Sequence, residues 1–344
     1  MSKLNRRTLL GSAIASALAV PFSRLVGAQV STQGANPRRI DVHHHFAPPA
    51  WVANVMNRPL LNVANTKWSP ELSLDDMDKG GVAASIISIT NPGIWFGDVA
   101  ETRQLARACN EYGAKLVSEH PTRFGLFAAM PLPDIDGTLR EIEYAYDTLK
   151  VDGVGVLTSY GDKWLGNPDF RPVMEELNRR KAVVNVHPTA ANCCSNLDYA
   201  PGFRSGTIEY GTDTTRAMAG VAFSGDARRY PDIQFIWSHA GGTAPFLIGR
   251  LESVASRSKD ALPNGFGAEM SRYYYDTAAA FNRGALTSLM EMVKTTQIVF
   301  GTDFPPGETS VKAAELLAAT GLFSESDMRL INRENALRLF PRLA

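Results

Sequence analysis

The sequence predicts an α/β fold: a single (β/α)8 TIM-type barrel with a mononuclear metal site at its C-terminal mouth and a lid-like insertion after strand 1. Three observations predict it. Short β-rich runs alternate with longer helical stretches from residue 38 to the end, the order of a parallel sheet with crossover helices. Most of those runs are continuously apolar rather than alternating, as strands buried on both faces are. Several of them end in histidine or aspartate, at the end where barrels of this kind carry their sites. An open doubly wound sheet is the alternative that alternation alone leaves.

Strands are expected at 39–46, 82–90, 123–130, 153–159, 183–188, 233–239, 273–277 and 298–303. Between them, "AETRQLARACNEYGAKLVSEH" sets Leu105, Ala108, Cys109, Tyr112 and Leu116 on one helical stripe and stops at Pro121, which cannot continue a helix. "DGTLREIEYAYDTLK" and "DFRPVMEELNRRK" carry acids early and bases late, as the helix dipole favours. "TAPFLIGRLESVASR" and "SVKAAELLAATGL" follow later strands. Segment 47–81, with Trp51 and Trp68, is long for a connection and is expected to form the lid. Residues 190–215 read as a second excursion. Residues 38–344 therefore form one domain.

The 344 residues hold 35 basic and 35 acidic side chains. That balance gives no reason to expect nucleic acid or an anionic membrane surface as partner. The first 28 residues differ in kind. Arg6 and Arg7 precede a short apolar run from Leu9 to Val20, and "VGAQ" offers Val26 and Ala28 for cleavage. The run is too short to span a bilayer. Its basic start reads as a twin-arginine export signal, with a periplasmic or exported destination and no membrane contact after removal. Three cysteines, Cys109, Cys193 and Cys194, make no disulfide framework.

The polar residues now fall into place. In "RRIDVHHHFAPP", strand alternation puts Asp41, His43 and His45 on one face and Ile40, Val42 and His44 on the other. His44 then reads as a packed core histidine. His187 ends "VVNVHPT", His239 ends "IQFIWSHAGG", and Asp303 ends "IVFGTDFPP". A closed barrel brings all of these to one mouth. His120 ends a helix and reads as a surface residue. Imidazoles and a carboxylate buried together are costly unless paired or coordinated. Three neutral imidazoles and one carboxylate suit a divalent ion such as zinc, manganese or iron. The strand "GVGVLTSYGDK" offers no lysine or glutamate between Gly153 and Gly161, and Lys163 lies beyond it in the loop. One metal is therefore expected rather than two.

"IDVHHHF", "VNVHPT", "SHAGG" and "FGTDFP" together resemble the amidohydrolase superfamily. The match is similar to the metal-dependent decarboxylase branch typified by aminocarboxymuconate semialdehyde decarboxylase, which includes 6-methylsalicylate and other salicylate-type decarboxylases. The resemblance covers about residues 38–344. It implies His43, His45, His187 and Asp303 as metal ligands and His239 as a catalytic group beside them. It further implies that Arg250, in "SHAGGTAPFLIGR", reaches a substrate carboxylate, in relatives often across a dimer interface.

The expected reaction is removal of CO2 from a small aromatic hydroxy acid or related unsaturated carboxylate. The metal holds the carboxylate and an adjacent hydroxyl as a chelate. Asp303 is the candidate proton donor to the carbon that bears the carboxylate, and His239 stabilises the phenolate. Trp95 and Phe96, just after the second strand, are candidates for an apolar ring wall. The same residues also fit a metal-dependent hydrolase of a lactone, ester or amide, in which the metal activates a water. A non-catalytic binding barrel is the third reading.

Overall fold

The computed structural model describes residues 38–56, 58, 63–189 and 206–344. The export signal expected over 1–28, and Cys193 and Cys194 in the second excursion, lie outside the described residues.

Eight parallel strands form one sheet in sequence order: β1 Arg39–His45, β2 Val82–Ser88, β3 Phe124–Ala129, β4 Gly153–Leu157, β5 Val183–His187, β6 Gln234–Trp237, β7 Tyr274–Asp276 and β8 Ile298–Val299. All eight expected strands are present. The last is shorter than expected, because beyond Val299 the chain turns to bond with β1 instead. Phe300 O accepts from Val42 N at 3.0 Å, and Asp303 N donates to His43 O at 2.8 Å. His45 N donates to Phe304 O at 2.8 Å. These bonds join the first strand to the last and close the ring.

Helices cover the outside. The first barrel helices are α1 Pro49–Val55, α2 Pro70–Gly80, α3 Val99–Glu119, α4 Ile135–Tyr144 and α5 Arg171–Arg179. Then come α6 Glu209–Phe223, α7 Ile248–Ala255, α8 Arg283–Met292 and α9 Ser310–Ala319. Their ends follow local chemistry. Ser69 caps α2 by accepting from Leu72 N, and Gly81 ends it at φ 63°. Asp98 caps α3 by accepting from Glu101 N at 2.8 Å. Along α3 the expected stripe is seen, with Leu105, Cys109 and Leu116 buried against the sheet. On α5, Val173, Met174 and Leu177 are buried, each contributing about 1.5–3 kcal/mol of burial. No helix among the described residues is long and apolar enough to cross a membrane.

Two connections are shorter than expected. Of segment 47–81, residues 70–80 are the ordinary crossover helix α2. The excursion at the mouth is α1 with the turn Val63–Lys67, held where Trp51 Nε1 donates to Gly93 O at 2.7 Å. Residues 209–215, expected in the second excursion, are the first turns of α6.

One expectation about β1 is corrected. Asp41 does not share a face with His43 and His45. The pairing of β1 with β2 slips between Asp41 and His44, a bulge that breaks the two-residue period. Ile40 and Val42 join Ala84, Ile86, Phe127, Val183, Ile236 and Val299 in a cluster drawn from six strands, which places them inside the ring. The Asp41 carboxylate lies 3.1 Å from His44 Nδ1 and accepts from Thr302 Oγ1 at 2.6 Å. His44 Nε2 lies 2.8 Å from Ser73 Oγ. His44 is thus a satisfied core histidine tying β1 to α2, as expected, with Asp41 as its partner.

Candidate metal centre

The closed ring brings His43, His45, His187, His239 and Asp303 together. His43 and His45 project from the bulged end of β1, His187 ends β5, and His239 and Asp303 lie just past β6 and β8. Ring centroids of His43, His45 and His187 lie 4.8–5.1 Å apart. His239 stacks on His43 at 5.0 Å and 28°, and Tyr210 lies nearly parallel to His239 at 6.4 Å. All four histidines are buried or nearly so.

Hydrogen bonds fix which nitrogen of each ring carries the proton. His43 Nδ1 lies 2.8 Å from the Asp276 carboxylate, and His187 Nδ1 lies 2.7 Å from the Pro188 carbonyl. His45 Nδ1 faces the Ser88 carbonyl at 3.3 Å. Each of these oxygens accepts, so each Nδ1 donates, and in the neutral ring each Nε2 is left as a lone pair that a cation or a proton can take. The three Nε2 atoms then converge with Asp303 Oδ1. His45 Nε2 is 2.9 Å from that oxygen, His43 Nε2 is 3.3 Å from it, and the two Nε2 atoms are 3.2 Å apart. His187 Nε2 is buried without any partner. Acceptors facing one another need a cation between them. In a tetrahedral shell with ligand distances of ~2.0–2.1 Å, neighbouring ligands lie roughly 3.3 Å apart. The ligand atoms of His43, His45, His187 and Asp303 lie within 4.8 Å of one another and form a group able to hold a metal ion. The donor set fits a divalent ion. Lys163 is on a hairpin, paired with Asp169.

Without a cation the same pocket favours a proton. Burial opposes a charge on His43, but Asp276 and Asp303 outweigh it and push its pKa up to about 10. Burial pushes His45 and His187 down. Burial also opposes ionisation of Asp303, yet the imidazoles of His239, His43 and His45 around it hold it well below the usual carboxylate range. The cluster thus draws one positive charge into a buried pocket.

Backbone conformation supports the placement. His239, Ala240 and Asp303 have φ of 55°, 55° and 62°, a left-handed conformation costing a non-glycine residue of order 1 kcal/mol. Hydrogen bonds hold them there. His239 N donates to Asp276 Oδ1 at 2.9 Å, and Gly307 N donates to Asp303 O at 2.6 Å. Past His239 the chain must hug α6, since a Cβ on Gly242 would lie 2.1 Å from Gly211 O.

The remaining expected residues lie outside the ligand cluster. Trp95 and Phe96 pack on the main core, with Phe96 under the Arg58 guanidinium at 4.1 Å. Ile89, Gly93 and Ile94, from the same connection, line a small cavity beside His187. Arg250 is exposed on α7, and its side chain pairs with no described residue. His120 caps α3, half-buried against Phe124. Asp276 and Tyr210 were not singled out from the sequence. Asp276 ends a strand, the same signal that marks His187. Tyr210 carries no signal, because it sits where the second excursion was expected.

The chain belongs to the amidohydrolase family, whose profile matches residues 40–342. It is 36% identical over 322 residues to Decarboxylase yanB of Aspergillus niger, covering 88% of each chain. It is also 36% identical to 6-methylsalicylic acid decarboxylase of Penicillium expansum, covering 89% of this chain and 97% of that one. Among solved structures, 2,6-dihydroxybenzoate decarboxylase in complex with 2,6-dihydroxybenzoate superposes with a TM-score of 0.79 at 23% identity, over 88% of this chain and 99% of that one.

Proposed function

We propose that this protein is a metal-dependent, non-oxidative decarboxylase of a small aromatic hydroxy acid. The observation that carries the reading is the convergence of three imidazole lone pairs and one carboxylate in a chain 36% identical to decarboxylases over most of its length.

His43, His45, His187 and Asp303 would hold the ion. When bound, a divalent cation supplies positive charge that orients the acid's carboxylate and neighbouring hydroxyl and favours the ionised hydroxyl. Asp303 turns Oδ1 into the ligand cluster and Oδ2 toward His239, 3.7 Å from its Nε2. The resting Asp303 is a carboxylate. A substrate carboxylate arriving beside it adds a second negative charge, which raises the Asp303 pKa and lets it carry a proton. Asp303 then protonates the ring carbon bearing the substrate carboxylate, using a ring electron pair. The bond from that carbon to the carboxylate breaks, its electron pair restores the aromatic ring, and CO2 leaves. His239 Nε2, buried without a partner, donates a hydrogen bond to the phenolate oxygen, and Asp303 takes its next proton from solvent, because each turnover leaves one proton on the ring carbon.

The donor set favours zinc, with manganese, bound in a related dihydroxybenzoic acid decarboxylase, as the competitor. Arg250 is assigned to the substrate carboxylate across a homodimer interface. Its exposure beside Phe246, itself 81% exposed, supports an interface there. The first 28 residues are assigned to twin-arginine export. Replacing Arg6 and Arg7 by lysine should leave uncleaved protein in the cytoplasm, by fractionation and blotting; cleavage unchanged in that variant removes the assignment.

Purified, metal-loaded protein should release CO2 from a salicylate-type hydroxybenzoate. Opening of lactones with no action on a hydroxybenzoate panel would establish the hydrolase reading instead, and binding of such acids without turnover would establish the binding barrel.

A further inference from the structure

The ligand cluster and the proton transfer leave one hydroxyl at the mouth unused, that of Tyr210. Its ring packs edge-on against His187 at 6.2 Å and lies within 9° of parallel to His239 at 6.4 Å. Gly206 makes room for it. A Cβ there would lie 3.0 Å from the Tyr210 ring, and the φ of 93° suits glycine. A string of side chains fixes the hydroxyl. Buried Asp213 accepts from Trp164 Nε1 at 2.5 Å and from Thr189 N at 3.4 Å. Thr189 Oγ1 donates to Asn91 Oδ1 at 2.8 Å, which leaves the amide Nδ2 to donate to the Tyr210 oxygen at 2.9 Å. Thr189 lies two residues past His187, so the string is anchored beside a member of the ligand cluster.

A phenolic hydroxyl both donates and accepts. Asn91 fills the accepting side, and no described residue receives the hydrogen. Burial pushes the hydroxyl's pKa up, and the charges of Asp303 and Glu209 add to it, so the group is a neutral donor. Tyr210 is half-buried, open to a molecule in the mouth. We propose that Tyr210 is a further substrate-binding residue, donating a hydrogen bond to the carboxylate of the bound acid, and that Asn91 positions it. This rests on the decarboxylase reading. An ionised carboxylate offers about four acceptor sites, more than an ion and an arginine occupy. His239 serves the phenolate oxygen, which leaves the carboxylate as the anion for Tyr210. A hydrogen bond to a charged oxygen is roughly twice as strong as a neutral one. The charge disperses as CO2 leaves, so this bond acts on binding of the acid rather than on the rate of the bound complex.

The test compares a salicylate-type acid with the phenol that its decarboxylation leaves, on metal-loaded wild type and Tyr210→Phe. The variant keeps the ring and loses the hydroxyl. KM for the acid should rise about tenfold or more, the scale of a hydrogen bond to a charged group, with kcat, metal content and calorimetric affinity for the phenol unchanged. An unchanged KM overturns the inference. So does an equal loss of affinity for the phenol, which would assign Tyr210 to packing, or a fall in kcat alone. Asn91→Leu should weaken the acid in the same direction in wild type and add nothing in Tyr210→Phe; an equal effect in both backgrounds overturns the positioning role. If Tyr210→Phe does not fold, Asn91→Leu reads the same ratio of acid to phenol, and an unchanged ratio overturns the inference. If no acid releases CO2, the decarboxylase reading fails. Calorimetry with the acid itself then replaces KM: a tenfold loss confined to the acid upholds the inference, and its absence overturns it.

Discussion

Asp276 serves two parts of the centre with one carboxylate. Oδ2 receives the His43 Nδ1 proton and Oδ1 receives the His239 backbone N–H. The first contact points a lone pair of His43 at the ligand cluster, and the second holds His239 in its left-handed conformation. A carboxylate behind a ligating histidine typically changes metal affinity about 10–100-fold. Asp276→Asn should therefore bind metal more weakly by that order in a chelator competition assay, while remaining folded. His239→Asn should keep its metal and lose about 100-fold or more in kcat, the scale of a lost acid–base group. Full activity in that variant would remove His239 from the mechanism. Burial pushes the Cys109 thiol up to about 12, so it is inert packing on α3.

At the scale of elements, the strands were legible because burial on both faces leaves continuous apolar runs, and their ends marked His187, His239 and Asp303. Strict alternation failed where a bulge intervened: it put Asp41 with His43 and His45, although the histidine pair itself was read correctly. Bulges leave no simple mark in "RIDVHHHF", because they are set by how β1 meets β2 and the chain after β8. In "IWFG" the largest aromatics drew attention to Trp95 and Phe96; in the structure Phe96 lies under Arg58, and Gly93 and Ile94 of the same connection line a small cavity beside His187.

At the scale of the molecule, closure of the ring gathers side chains that are up to 260 residues apart in the sequence. The same closure fixes what one chain can supply. Arg250 sits on the exposed surface of α7, and no described residue neutralises it. If Arg250 acts across a homodimer, mixing Arg250→Ala with His239→Asn should restore part of the activity that each lacks, because mixed dimers contain one intact site. Sedimentation should show a dimer. A monomer with full activity would confine Arg250 to the surface of its own chain.

The central claim is tested most directly by metal analysis of the wild type and of His187→Ala, using elemental analysis of protein dialysed against a weak chelator. One equivalent of a divalent ion in the wild type, and close to none in a folded His187→Ala, is the predicted result. A wild type that retains no ion, or a variant that retains a full equivalent, would contradict it.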